Sequence, residues 1–445
     1  MTFVKTQGMQ KMKTYLEAGK TVPVVAEVEV LVAGGGPAGV GAALAAARNG
    51  AKTMLIEHFN CLGGIATSGL MSHWTGASEG PIYEEILDRC LAQPWPGEPA
   101  GHKLRQHICH EKLKLVLFDM LEEAGVIFQL HTDVVDVIME DGRITGVITQ
   151  SKSGREAILA KVVIDATGDG DAAARAGAEF AKGREEDGLM QPVTLMFKID
   201  GVDYERAIFP GSFESKVDVP KGEIQALGRR ELAHPAGHVL LYRSTVPGQV
   251  VVNMTNLTGI DGTSARDLTR AEVACHRQAP KIVAFLREYA PGYENCRLLE
   301  TAAVVGVRET RHFKGVYTLT AEDIVEAPVF PDWIATRNHF NFDIHNVKGA
   351  GLDANGAQAH FQSRGKYTIP YGCCVPEKID GLLLAGRNIS GTHKAHSNFR
   401  VMPICVNIGQ GVGTAAAVAV KDGVLPRGVD LAKVQKLLQA QGVKV

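Results

Sequence analysis

The chain has 445 residues, 45% of them apolar, and sets 47 Lys plus Arg against 49 Asp plus Glu for a formal charge of -2. That length exceeds one ordinary core and predicts one large composite domain or two closely joined ones. No long single-sign block is present, so binding to nucleic acid or to a membrane surface is not expected, and a small molecule is the expected partner.

Eight cysteines, at Cys61, Cys90, Cys109, Cys275, Cys296, Cys373, Cys374 and Cys405, form no CxxC pair and no zinc-type spacing. A reducing cytoplasmic setting without a metal site fits them. The opening MTFVKTQGMQKMKTYLEAGK is polar and lysine-dotted, which reads as a short helical arm, within an N-terminal arm over 1–26, rather than a secretory signal. Two apolar windows, 30–47 and 401–420, are broken by glycines, the second also by Pro403, Asn407 and Gln410. Both read as buried glycine-rich turns with helices behind them, not as membrane spans.

Residues 28–32 are nearly all apolar, as in a parallel strand covered on both faces. They run into VAGGGPAG, then into the alanine-rich VGAALAAARNG, a predicted helix stopped by Gly50, and into a second strand, AKTMLIE, at 51–57. Strand, glycine turn, helix and strand supply the context that a dinucleotide fingerprint requires. Gly34 makes the turn, Gly36 admits a pyrophosphate to the backbone, and Gly39 lets helix and strand pack closely. Ala38 stands at the helix start, where free amides and the dipole favour an anion. Glu57, at the end of the second strand, is placed to accept hydrogen bonds from an adenosine ribose.

A helix is predicted over 111–124, followed by a three-stranded meander whose first strand carries Val135, counted here with the cofactor-binding residues; its last strand ends at the turn Ala166-Thr167-Gly168. From about 192 the texture changes to polar strands, with a helix over 266–289 and a polar stretch over 300–365. The last part returns to strand and helix texture. The nucleotide-binding unit is therefore expected in two pieces, 27–191 and 366–445, around an inserted mixed α+β substrate domain at 192–365.

The segments VLVAGGGPAGVGAALAAARNGAKTMLIE, LGGIATSGLM, VVIDATGDGD, VGVRETRHFKGVYTLTAEDI and LLLAGRNISGTHKAHSNFRVMPICVNIGQGVGTAAA resemble the FAD-dependent oxidoreductase family of the glutathione-reductase structural class. That group is distantly similar to fumarate reductase and succinate dehydrogenase flavoproteins, and the likeness covers nearly the whole chain. It implies an α/β fold with a Rossmann-like FAD-binding domain and redox chemistry at the flavin, without fixing a substrate. It also implies that Gly63 and Gly64 form a second loop along the pyrophosphate and ribityl chain, that Thr167, Gly168 and Asp169 belong to the cofactor site, and that Gly386 and Arg387 lie nearest the cofactor. A salt bridge is the alternative role for Arg387. Gly409, Gly411 and Gly413 are read as allowing a helix start to lie against the flavin edge, where its amides favour the anionic reduced flavin; the alternative is close helix contact.

For catalysis the sequence offers His393, His396 and Arg400, read as lying in a non-helical connection. His396, Asn398 and Arg400 match the substrate-carboxylate grouping of fumarate reductases, although Ser397 replaces the usual glycine and puts that specificity in doubt. A guanidinium suits an anion, and paired histidines suit proton transfer. Arg308 and Arg311 flank Glu309 and read equally as substrate contacts or a salt-bridge network. His345, with Asp343 to orient it, is a further candidate base or an exposed loop residue. Cys61 has no resolving partner, so noncovalent FAD is expected. Adjacent Cys373 and Cys374 read as a vicinal disulfide or as buried thiols.

The expected activity is hydride transfer between flavin N5 and a small polar organic molecule. No second GxGxxG follows, so electrons are expected to pass to or from an external acceptor or donor. A flavin-bound RNA-modification or binding protein, or an FAD subunit of a larger redox complex, is the alternative, and a homo-oligomer is compatible with the sequence.

Overall fold

The computed structural model describes residues 15–17, 19–98 and 107–445. The expected helical arm lies largely outside them, and residues 19–23 carry neither helix nor strand. Strand β1 (Val24–Ala33) enters the glycine turn and helix α1 (Pro37–Arg48), and the chain returns through β2 (Thr53–Ile56). Helices α2 (Pro81–Ala92) and α3 (His110–Glu123) follow, then β3 (Ile127–Gln129), a short parallel strand that the sequence reading did not anticipate. The meander is β4 (Asp133–Glu140), β5 (Arg143–Ser151) and β6 (Gly154–Asp165), closed by the short α4 (Asp171–Arg175).

A second region contains β7 (Phe180–Lys182), β8 (Phe197–Asp200), the two-residue strands β9 (Asp218–Val219) and β10 (Gly222–Glu223), and α5 (Ile224–Glu231). It continues with β11 (Leu241–Arg243), β12 (Val250–Val252), the long α6 (Ala265–Tyr289), β13 (Arg297–Thr301) and β14 (Arg311–Phe313). The chain then forms α7 (Ala321–Glu326), β15 (Trp333–Asn338), β16 (Tyr367–Pro370) and β17 (Leu382–Leu384), and closes with α8 (His393–Phe399), α9 (Met402–Asp422) and α10 (Leu431–Ala440).

The parallel order is β3-β2-β1-β6-β17, so the last strand, from the C-terminal end, docks beside β6, while β5 pairs antiparallel with the earlier half of β6. The apolar end of β1 (Val30–Ala33) and all of β2 are buried because helices cover the sheet there, as a parallel sheet requires. A separate antiparallel sheet, β11-β12-β8-β13, has its own apolar cluster around Phe197, Ile282 and Leu286.

Two expectations about the C-terminal segment are overturned. Residues 393–399 are helical, because Thr392 caps the turn by accepting from Ala395 N. Helix α9 starts at Met402, with Pro403 in its first turn, so Gly409, Gly411 and Gly413 lie in its interior rather than at its start. They serve close packing instead: a Cβ at Gly409 or Gly413 would overlap Ala38 O or Ala42 O of α1, and one at Gly411 would overlap Ile334 O of β15. Helix α9 is long and apolar enough to cross a membrane, but 94% of its apolar window is buried inside the protein.

Candidate functional site

The turn after β1 is built from backbone. Gly34 has φ 102°, and a Cβ there would overlap Ala166 O at the end of β6, while one at Gly39 would overlap Gly34 O. Gly36 differs: it is the N-cap of α1, no side chain caps the helix, and a Cβ there would meet nothing within 4 Å. The second glycine loop folds onto the first. Gly63 N donates to Gly35 O at 2.8 Å, and both Gly63 and Gly64 have positive φ. Ala38 is buried behind the turn.

Glu57 is buried, and its two oxygens accept from Gly35 N at 2.5 Å and Phe59 N at 2.8 Å. Each oxygen keeps a second lone pair for a hydroxyl. Val135 is half-buried where the β4–β5 register shifts. The open position over an uncapped helix start, with a carboxylate ending the next strand, fits a dinucleotide with its pyrophosphate over α1.

The end of β6 is held by polar contacts. Asp165 accepts from Thr167 N, Thr167 Oγ1 and Ala173 N. Burial pushes its pKa up to about 6, against those hydrogen bonds. Gly168 has φ 82°, and Arg387, after Gly386, forms an ion pair with Asp169 at 2.5 Å. Asp169 also accepts from Thr310 Oγ1 at 2.6 Å and, through its carbonyl, from Arg311. The salt-bridge role for Arg387 is therefore present.

Beside this turn lies a buried group that brings together residues distant in sequence. Glu309 Oε1 receives His393 Nδ1 at 2.6 Å and His312 Nε2 at 2.7 Å, and Glu309 Oε2 accepts from Gln191 N. Burial raises the Glu309 pKa, but the two histidine hydrogen bonds outweigh it and hold the carboxyl well below its usual range. Burial also opposes charge on His393, yet the Glu309 contact raises its pKa overall. His396 is 1% exposed, its Nδ1 has no partner, and burial, reinforced by His312, holds it neutral. Its ring packs edge-on to His312 at 4.7 Å. Glu309, His312 and His396 also bring one ligand atom each to within 4.8 Å of one another, a grouping that no spacing in the sequence suggested.

The flanking residues divide, and the salt-bridge alternative is present at Arg311. Glu309 pairs with histidines, while Arg308 donates to Pro192 O at 2.6 Å and Arg311 reaches Asp171. His345 is buried, not exposed, and lies 3.4 Å from Asp343, as expected of an orienting carboxylate. Arg400 donates to the Asp343 carboxylate at 3.0 Å. Asn398 Oδ1 accepts from Tyr367 OH, and its Nδ2 donates to Phe340 O. Sequence reasoning missed His312, although it lies three residues after Glu309, and missed Gln191 and His238, which carry no motif. All eight cysteines are free. Cys61 Sγ lies 3.4 Å from Ser68 Oγ, and Cys373 and Cys374 are buried thiols.

A strand, an open glycine turn over a helix start and an acidic strand terminus define a dinucleotide-binding α/β protein. The chain belongs to the family of FAD dependent oxidoreductases, which it matches over residues 29–438. It is an FAD-dependent oxidoreductase and a flavoprotein. It is 32% identical over 151 residues to a thiamine thiazole synthase of Methanococcus vannielii, covering 32% of this chain and 56% of that protein. It is 31% identical over 149 residues to a tRNA uridine 5-carboxymethylaminomethyl modification enzyme of Alkaliphilus oremlandii, covering 30% and 23%. The chain thus spans less than two thirds of either relative. Among solved structures, a geranylgeranyl bacteriochlorophyll reductase-like protein of Thermoplasma acidophilum aligns with TM-score 0.49 at 16% identity, covering 94% of this chain and 84% of the other.

Proposed function

We propose that the enzyme moves a hydride between flavin N5 and a small polar organic molecule held by the segment from His393 to Arg400 together with Arg308, Asp343 and His345. One observation carries this reading: the segment His393–Arg400, held by the sequence-distant Glu309, carries two buried polar atoms with unfilled hydrogen bonds, His396 Nδ1 and Arg400 Nε.

Bound FAD supplies the two-electron chemistry. The chain supplies anchoring, orientation and proton handling. The amides that open α1 hold the pyrophosphate, and Glu57 holds the ribose. Arg400, fixed by Asp343, orients the substrate with its free Nε edge. His396 is kept neutral with an open nitrogen, the state needed to accept a proton from an alcohol or amine under oxidation, or to return it in the reverse direction. The spacing of His396, Asn398 and Arg400 matches the fumarate reductase grouping, and Ser397 departs from it.

In this reading the flavin is noncovalent, residues 192–365 form the substrate domain, electrons exchange with an external acceptor or donor, and the enzyme works in the cytoplasm. The test is anaerobic flavin bleaching across alcohols, amines and hydroxy acids. At least one class should bleach the wild-type flavin, and His396→Ala should slow that bleaching while retaining FAD. If no member bleaches it, and none of the corresponding carbonyl compounds reoxidises the reduced enzyme, the reading fails.

A further inference from the structure

Glu309, His312 and His396 reach one another from two parts of the chain, the stretch that enters β14 and helix α8, and all three are buried. Each brings one ligating atom to within 4.8 Å of the other two. One carboxylate and two imidazoles are a donor set for zinc and its first-row neighbours, whereas magnesium and calcium take oxygen ligands. Contacts within the protein do not use up these side chains. His396 is 1% exposed and its Nδ1 has no hydrogen-bond partner, and His312 Nδ1 is buried without one as well. Buried polar atoms left unpaired are costly, and here they sit on two rings packed edge-on at 4.7 Å.

The surroundings supply what such a donor set needs. A carboxylate that ligates a metal is itself held by hydrogen bonds from behind. Glu309 Oε1 accepts from His393 Nδ1 at 2.6 Å, and Oε2 accepts from Gln191 N at 2.9 Å. His393 also lines a cleft of about 240 Å³, whose charged walls set Glu185, Glu186 and Asp353 against Arg184 and Lys394. Three carboxylates facing two cationic side chains favour entry of a cation. At present His312 Nε2 and Glu309 Oε1 share a proton at 2.7 Å. Metal bonds of about 2.0–2.2 Å set tetrahedral ligands about 3.4 Å apart, so binding replaces that hydrogen bond, opens the pair by less than about 1 Å and draws His396 inward. The displaced proton passes to His312 Nδ1, which has no other partner to give up.

We infer that Glu309, His312 and His396 bind one divalent cation of the zinc class, admitted through the cleft at His393. On the hydride-transfer reading above, on which this consequence rests, the cation is an inhibitor. A neutral imidazole has a single nitrogen lone pair, and a metal that takes it leaves His396 unable to accept a proton from substrate. The metal-free enzyme is then the active form, and zinc silences it.

The test strips the FAD-loaded enzyme of metal with EDTA, removes the chelator, and titrates it with zinc chloride and with magnesium chloride by calorimetry, measuring the metal retained after gel filtration. One zinc per chain should stay bound, and magnesium should not. X-ray absorption of the zinc-loaded enzyme should show nitrogen and oxygen ligands at about 2.0–2.1 Å; sulfur at about 2.3 Å would place the metal on cysteine thiols and overturn the site. His312→Gln, which keeps a donor for Glu309, should weaken zinc binding by at least about tenfold with FAD content unchanged. No retained zinc, or equal affinity in the variant, overturns the proposal, and the absorption measurement decides it without a variant if His312→Gln does not fold. Flavin bleaching separates the site from the reading it rests on. With a compound that bleaches the metal-free enzyme, one equivalent of zinc should slow bleaching about 100-fold, and EDTA should restore it. Zinc held by nitrogen and oxygen with bleaching unchanged overturns the inhibition and the role of His396 as proton acceptor, and leaves the metal site; absence of zinc binding overturns the site and leaves the hydride-transfer reading standing.

Discussion

The first glycine turn and the C-terminal segment from Gly386 to Gly413 are both rich in glycine, yet they do opposite things. At Gly36 the missing side chain leaves room above a helix start. At Gly409 and Gly413 it removes room, letting α9 lie backbone against backbone on α1. The cofactor-facing turn is made by neighbours in sequence, whereas the C-terminal segment acquires its chemistry from partners far away, such as the Glu309 that holds His393. A glycine spacing thus acquires meaning only from its place in an element: at a cap it opens a site, and inside a helix it closes a contact.

The largest effect that would sharpen this contrast lies in the long-range half. Glu309→Gln breaks a buried pair and should cost about 3–5 kcal/mol of stability in denaturant titration. The pH dependence fixes its origin. Glu309 is depressed below its ordinary 4.5, so its contribution is present above that value and is lost as pH falls through its folded pKa. His393 is raised above its ordinary 6.5, so its contribution is complete below that value and is lost as pH rises through its folded pKa. The stability difference between wild type and Glu309→Gln should therefore be greatest between about pH 4.5 and 6.5; a pH-independent difference would assign the loss to packing.

Gly413→Val comes next, at about 3 kcal/mol, because its side chain would overlap Ala42 O of α1. Gly36→Val tests the opposite behaviour. With nothing within 4 Å and an extended backbone, it should leave apo-protein stability within about 0.5 kcal/mol of wild type. It should weaken FAD binding about 100-fold, on the order of 2.7 kcal/mol. If Gly36→Val unfolds the protein and Gly413→Val does not, the contrast between the two regions is broken.

Arg400→Ala should lower kcat/KM by roughly 1.5–3 kcal/mol, the scale of a hydrogen bond to a charged group, with FAD retained. The smallest expected effect is at Cys61. Cys61→Ser should leave flavin content unchanged, and acid precipitation of either protein should release the colour into the supernatant. Colour that stays with the wild-type pellet and leaves with Cys61→Ser would identify a covalent bond.

The nucleotide-binding unit was legible because its signals are local: an apolar strand, three glycines and Glu57 fall within about thirty residues in the order the geometry uses them. The meander and the long helix α6 were legible from turn residues and periodicity. The C-terminal helix start was misplaced because the glycines outweighed a better signal, Pro403 just after Val401, which marks a first helical turn. The role of Glu309 could not be read at all, since its partner His393 is 84 residues away and the two meet only when α8 folds against the stretch before β14. His238 was invisible for a related reason. In sequence it precedes an ordinary apolar strand, and only the tertiary packing places its ring in a cleft.

The docking of β17 and α9 onto β6 and α1 also sets a schedule for biosynthesis. A ribosome delivers the glycine turn first, but the strand that flanks β6 and the helix that backs α1 emerge only after residue 380. Until then the apolar faces of β6 and α1 lack the strand and the helix that cover them. The nucleotide-binding unit is consequently completed only when the last fifth of the chain has been made.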